Sequence, residues 1–417
     1  MLPTLYDRRL RLAHAIQEGS LYVMLVWLPF SKAAIEILFG VMLCGWLLQY
    51  AWPGGWRLSV WSRPVARFPL LALLSYLTVC GVSILVSDFP RTSLTGYIGK
   101  TVEYALLFVM AAELGQQPRA WRYGLLLLLV GALLACSDGL AQEFLHRDPL
   151  RHYRLDVYGR MYAPYQNPND LATFLIVVIP LLCSQLLMAS RRWTIPLAGF
   201  LAFAVGCVIR TGARGALVGL IVGLIAMALC LWRKRMPALL ALAGGLAMVG
   251  AAALRHLSGK PDIGVRDRVF MWQAGWDMLK ARPILGQGIN TFMSNYLYYW
   301  VGGEHSPRYA HNCYLQAAAE TGLLGLASFL WLLGAILWTV VRGAVSLDVH
   351  PSSRRFLAGC VGGIAAFLVQ AAVDTNFYSL RHAALFWTLA GLAVGCAWSQ
   401  SHAAVNEAPV PQPSLMA

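Results

Sequence analysis

Twelve apolar runs, centred near Met24, Leu43, Leu77, Leu107, Leu129, Val178, Phe203, Val222, Leu246, Leu330, Ile364 and Ala390, decide what this chain can become. A bilayer core of roughly 30 Å is crossed by about 20 mostly apolar residues in helical form. In hydrocarbon only a helix or a closed barrel satisfies its own backbone, and runs of this length select the helix. Composition agrees, because 58% of the 417 residues are hydrophobic and 12% charged, against about 25% charged in a soluble domain. The expectation is an all-α integral membrane protein of about 12 transmembrane helices. Arg8, Arg9 and Arg11 before the first run look like the start of a signal peptide, but no small-residue cleavage site follows, so the run reads as an uncleaved first span. Nine cysteines lie almost all inside apolar runs with no CxxC spacing, which supports neither a disulfide framework nor zinc and leaves them as small core residues.

A cytoplasmic N-terminus puts Arg57, Arg63 and Arg67, then Arg119 and Arg122, then Arg191 and Arg192, then Arg233, Lys234 and Arg235, then Arg342, Arg354 and Arg355 on one side. That is the side the positive-inside rule assigns to cytoplasm. An even number of spans returns the C-terminus there. The chain then divides into spans one to nine with short external loops over 1–255, a large external loop over 256–310, spans ten to twelve over 311–398, and a polar, proline-containing tail over 399–417 expected to be disordered.

The formal charge is +14, carried by 28 arginines and five lysines. GC-rich codon usage would explain that ratio without function, so position has to decide. Arg147, Arg151, Arg154 and Arg160 fall in the external segment 144–166, Arg210 and Arg214 in a short external turn, and Arg266, Arg268, Arg282 and Arg308 in the long loop. These stand against the positive-inside bias, and guanidinium is the better bidentate partner of phosphate. An anionic ligand is one reading. The other is pairing with Asp148, Asp156, Asp262, Asp267 or Glu304, or with lipid head groups. Nothing in the pattern points to nucleic acid.

In the long loop, Val265, Val269, Trp272, Trp276 and Leu279 recur at helical spacing, which predicts an amphipathic helix over 265–280 near the membrane surface, stopped before Pro283. Phe292, Tyr296, Tyr298, Tyr299 and Trp300 follow. They suit interfacial anchoring, or stacking on sugar faces. His311 stands at the mouth of the next span, where a neutral imidazole can accept a proton; anchoring a helix end is the alternative. No HxxxH pair and no DxD is present, so no metal site is expected.

Five stretches, in order, resemble a known family. They are Tyr165-Gln-Asn167-Pro168-Asn169, Thr211-Gly-Ala-Arg214-Gly215, Arg268-Val-Phe-Met-Trp272, Arg282-Pro283-Ile-Leu-Gly286-Gln-Gly288, and His311-Asn-x-x-Leu315 followed by Glu320-x-Gly322. Together they resemble the motifs of the O-antigen ligase and O-antigen polymerase superfamily over about residues 160–325, with Thr211-Gly212-Ala213 where serines are usual. The resemblance implies a GT-C-type glycosyltransferase architecture with one large periplasmic loop, in the inner membrane of a Gram-negative bacterium. It implies a polysaccharide on undecaprenyl diphosphate as donor and a lipid A–core sugar as acceptor, with no cofactor and no metal. Arg214 and Arg268 would stabilise the departing diphosphate and His311 would be the general base, with inversion at the anomeric carbon. Arg147, Arg151, Arg154, Arg210, Arg266, Asn167, Asn169 and Trp272 would line the substrates. A single dominant external loop favours ligase over polymerase. A polysaccharide-lipid transporter is the reading from another class, for which Glu36, Lys100, Glu103 and Glu113 would be the charges within spans.

Overall fold

The computed structural model describes residues 2–50, 64–156, 158–187, 189–231, 263–303 and 305–406. All regular structure in them is helical: α1 (Leu2–Trp27), α2 (Lys32–Tyr50), α3 (Pro64–Ser83), α4 (Pro90–Gly96), α5 (Glu103–Gly115), α6 (Pro118–Leu145), α7 (Pro168–Leu186), α8 (Arg191–Thr211), α9 (Arg214–Leu231), α10 (Ile263–Ala281), α11 (Phe292–Tyr296), α12 (Cys313–Val345), α13 (Pro351–Gln370) and α14 (Leu380–Asn406). Among the described residues nine helices are long and apolar enough to cross a membrane, and the chain is a multi-pass membrane protein. Helices α1 and α5 stand outside those nine. The first is polar over its N-terminal half, and its apolar part ends at Trp27. The second has 13 residues and is preceded by α4 and a π-helical stretch over Tyr97–Val102, so the run centred near Leu107 is a broken helix. The run around Leu246 lies outside the described residues. The tail differs from expectation, since α14 continues through Asn406 rather than ending near Ser399.

Lipid tails are as apolar as leucine, so membrane helices gain by close backbone approach rather than by leaving solvent. Here glycine provides it. Gly215, Gly219 and Gly223 stack along one face of α9 against α13, where a β-carbon on Gly219 would lie 2.7 Å from the Ala366 carbonyl oxygen and one on Gly223 2.4 Å from that of Gly362. On its other side α13 meets α7 through Gly359 and Gly363, which lie against Leu181 and Val177. A third seam joins α5 and α14 at Gly115, Gly391 and Gly395. Helices α13 and α14 are thereby held at the centre, with Phe356, Phe367, Phe386 and Trp398 fully buried among them.

This frame gathers a set of chain breaks at one end of the bundle. The Met161 amide donates to the Arg210 carbonyl, Cys313 to Ala371, and His382 to Asp170. Hence the loop before α7, the α8–α9 turn, the start of α12 and the α13–α14 loop all meet there. Arg119 and Arg122 mark the opposite end, pairing with Glu18 and hydrogen-bonding Ser352.

Candidate active site

Asn312 caps α12, its side-chain oxygen accepting from the Tyr314 and Leu315 amides. That fixes where the helix starts and leaves His311 one residue outside it, in a left-handed conformation (φ 48°) that non-glycine residues seldom adopt. Strain of this kind persists where the surroundings hold it, and it gathers at functional sites. The ring's Nδ1 lies 3.2 Å from Oδ1 of Asp374 on the α13–α14 loop. Cys313 secures that loop, its amide donating to the Ala371 carbonyl at 2.8 Å and its thiol to the Asp374 carbonyl at 3.1 Å.

Burial alone would raise the Asp374 carboxyl. The His311 hydrogen bond and charge, the Thr375 amide at 2.8 Å and the charge of Arg268 together outweigh it and hold the group below its ordinary value. An ionised carboxylate against Nδ1 selects the tautomer that carries its proton there, so the lone pair is on Nε2. The pair therefore has the form of an oriented base. The half-buried Arg268 also acts on Asp374 through its charge. One turn later, the Trp272 indole N–H is buried without a partner among the described residues.

Arg214, exposed at the first position of α9, reaches this end because Gly215 after it packs on Gln370 and Val373, each 2.7 Å from where a β-carbon would be. The Arg-Gly pair is thus a charge followed by the only residue that lets its helix approach the Asp374 loop. Several other arginines serve structure instead. Arg160 pairs with Asp156 at 2.6 Å, Arg210 with Glu143, and Arg282 with both Asp88 oxygens at 2.8 Å. Arg151 donates to the Phe30 carbonyl. Pairing is therefore the better account of Arg210, and anchoring that of Arg151, whereas Arg147, Arg154 and Arg266 are exposed. Asn167 is the N-cap of α7, its oxygen accepting from the Asn169 amide at 2.9 Å, and Asn169 gives its carbonyl to Thr173.

The long-loop motifs build the support for this site. Helix α10 ends at Ala281, ahead of Pro283. Its buried face is Met271, Ala274 and Met278 against Phe292 and Tyr296, while Val269 and Trp276 of the anticipated apolar stripe are about half exposed on another face. Beyond it the chain turns back on α12. Gln287, Gly288 and Leu323 amides donate to the Ala319, Glu320 and Pro283 carbonyls. The fully buried Glu320 carboxylate accepts from the Asn290 and Phe292 amides, Gln316 and the Tyr378 hydroxyl. Gly322 breaks α12 at φ 67°, where a β-carbon would lie 2.1 Å from the Ile284 carbonyl oxygen. The Glu-x-Gly element is a latch that fixes the loop bearing α10, and so Arg268.

Reading the sequence alone missed Asp374 altogether. Its signal was the polar break Asp374-Thr375-Asn376 between two apolar spans, beyond the last recognised motif. Asp170, Arg381 and His382 each sit in the first turn of an apolar helix, outside the recognised motifs.

Residues 198–330 match a family model described as O-antigen ligase. The chain is 28% identical over 229 residues to the O-antigen ligase of Pseudomonas aeruginosa, covering 54% of each chain. It is 26% identical over 158 residues to the exopolysaccharide production protein ExoQ of Rhizobium meliloti, covering 34% of each. The match thus spans about half the length of the first relative and about a third of the second. The matched region runs from α8 into α12 and includes Arg214, Arg268, His311 and the Glu320 latch, and over it the chain is similar to the O-antigen ligase superfamily.

Proposed function

We propose that the protein is a membrane glycosyltransferase that moves O-antigen polysaccharide from undecaprenyl diphosphate to a lipid A–core sugar at the periplasmic face of the inner membrane, on a GT-C-type frame. The observation that carries this reading is the His311–Asp374 pair, with the charge of Arg268 acting on the same carboxylate. In this mechanism Nε2 of His311 takes the proton of the acceptor hydroxyl as its oxygen attacks the anomeric carbon. Asp374 steadies the imidazolium that results. The bond to the diphosphate breaks on the opposite face, which inverts the configuration. Charge then collects on the leaving phosphate, where Arg214 and Arg268 stabilise it. Trp272, Arg147, Arg154, Arg266 and Asn169 remain candidates for substrate contact.

A second reading has one observation in its favour, the likeness to a protein named for exopolysaccharide production: the acceptor would be another undecaprenyl-linked glycan and the product a longer chain. Purified protein given undecaprenyl-diphosphate glycan and lipid A–core in detergent, with excess EDTA and no ATP, separates the two. Glycan on lipid A–core is expected. Lengthened undecaprenyl-linked glycan would establish the polymerase, and activity that only a divalent ion restores would overturn the arginine-only account of the leaving group.

A further inference from the structure

Beside the His311–Asp374 pair lies a second carboxylate that the mechanism does not use. Asp170 is in the first turn of α7, and its charge and that of Asp374 act on one another. At that position, three residues after an Asn cap, a carboxylate ordinarily turns back to the cap's own amide. Asp170 does not, and its oxygens accept no hydrogen bond from any described residue. The side chain is 36% exposed. Behind it the fully buried His382 donates from Nε2 to the Asp170 carbonyl, and its Nδ1, 3.9 Å from Oδ1, has no hydrogen-bond partner among the described residues. One turn along the same face of α7, Thr173 meets Asn376 at 3.5 Å, and the buried Asn376 amide nitrogen is likewise without a partner. Buried polar atoms left unpaired cost about 1–3 kcal/mol each. His382 Nδ1 and the Asn376 amide, two such atoms near one open carboxylate, mark a place where a ligand completes the hydrogen bonding.

We infer that Asp170, with the Asn376 amide beside it and His382 behind it, receives hydroxyl groups of the acceptor saccharide; this rests on the transfer reaction proposed above. The chemistry of the group narrows the ligand. No group of three His, Cys, Asp or Glu side chains among the described residues is arranged to hold a metal ion. Asp170 presents acceptor oxygens, which favours a ligand that donates hydrogen bonds over a phosphate. A neutral polyol suits it, since each hydroxyl can donate to the carboxylate and accept from the amide. Asp170 would set the acceptor's orientation toward Nε2 of His311 and would carry no proton in the reaction.

The test is binding without turnover. Deacylated lipid A–core oligosaccharide is titrated calorimetrically into the full-length wild type and Asp170→Asn in detergent with no donor present, and undecaprenyl diphosphate is titrated separately. Loss of a hydrogen bond to a charged group predicts oligosaccharide affinity weaker by about 10- to 100-fold and unchanged affinity for undecaprenyl diphosphate. Equal oligosaccharide affinity in the two proteins overturns the subsite, as does a loss that falls on undecaprenyl diphosphate, or a wild type that binds no core oligosaccharide. Asp170→Ser and Asn376→Ala provide second variants, and whichever keeps the wild-type melting temperature carries the measurement. An enzyme that ligates but binds the oligosaccharide independently of Asp170 refutes the subsite alone. A protein that binds through Asp170 but transfers nothing refutes the reaction alone.

Discussion

At the scale of single residues, the difference between His311 and the other eight histidines is the company it keeps. A carboxylate held ionised against Nδ1 makes the ring an oriented base, and that orientation is testable apart from the charge. His311→Ala should abolish detectable transfer and leave donor affinity largely intact; lost affinity with an unchanged rate at saturation would reduce the residue to a binding role. Asp374→Asn should slow transfer by about 10²–10⁴-fold. It should also have a pH signature. The Asp374 pKa is lowered by folding, so its contribution to stability is present above the ordinary carboxyl range and is lost as pH falls through the lowered value. The stability gap between wild type and Asp374→Asn, followed by thermal melting, should be widest near neutrality and close below about pH 4. A gap that grows toward acid would mean that the carboxyl is neutral in the fold. For Arg268→Lys the expectation is loss of most activity at normal protein levels, because a point charge does not reproduce a bidentate fork. The sequence offers His311, Arg214 and Arg268 as candidates because each stands in a motif with a fixed spacing. It does not offer Asp374, because its partnership crosses 63 residues and nothing local announces it.

Elements explain why so many motif residues are not chemical. Of the stretch from His311 to Gly322, only His311 is proposed to act in the reaction; Asn312 caps the helix, and Glu320 and Gly322 hold the 283–292 turn in the break of α12. Replacing Glu320 with Gln keeps one acceptor oxygen but puts an amide among N–H donors. About 1–3 kcal/mol of stability should be lost for each donor left unsatisfied. The readout is a lower melting temperature with faster proteolysis near residues 286–292; wild-type protection there would show that the latch is not what holds α10. Helix positions were readable from apolar runs, because a span has to satisfy its own backbone wherever it lies. Which helices touch was readable only in part. The Gly215, Gly219 and Gly223 spacing was in plain sight as a close-approach face, but its partner on α13 depends on tertiary order that no local pattern encodes. The apolar stripe of α10 misled for a related reason: periodicity finds apolar side chains and does not tell a face buried on protein from one turned toward lipid.

For the whole molecule, the open matter is which end faces out. Arg67, Arg119, Arg122, Arg191, Arg192, Arg342, Arg354 and Arg355 belong to the helix ends opposite His311, where Arg119 pairs with Glu18. At the His311 end basic residues are also numerous, but Arg160, Arg210 and Arg282 are neutralised by Asp156, Glu143 and Asp88. Orientation follows Lys and Arg near span ends, and carboxylates count for little in it, so the two ends compete and the outcome is not a formality. The first helix usually dominates, and Arg8, Arg9 and Arg11 stand at its start. That predicts an external His311 end. Alkaline phosphatase inserted after Arg154 should be active, since it folds only outside the cytoplasm, whereas the same insertion after Asp348 should be inactive. A fluorescent protein joined to the C-terminus should glow. The reverse pattern would put His311, Arg214 and Arg268 in the cytoplasm, away from any lipid-linked glycan already carried across the membrane. The transfer reaction would then fail, even with every side chain in the arrangement described.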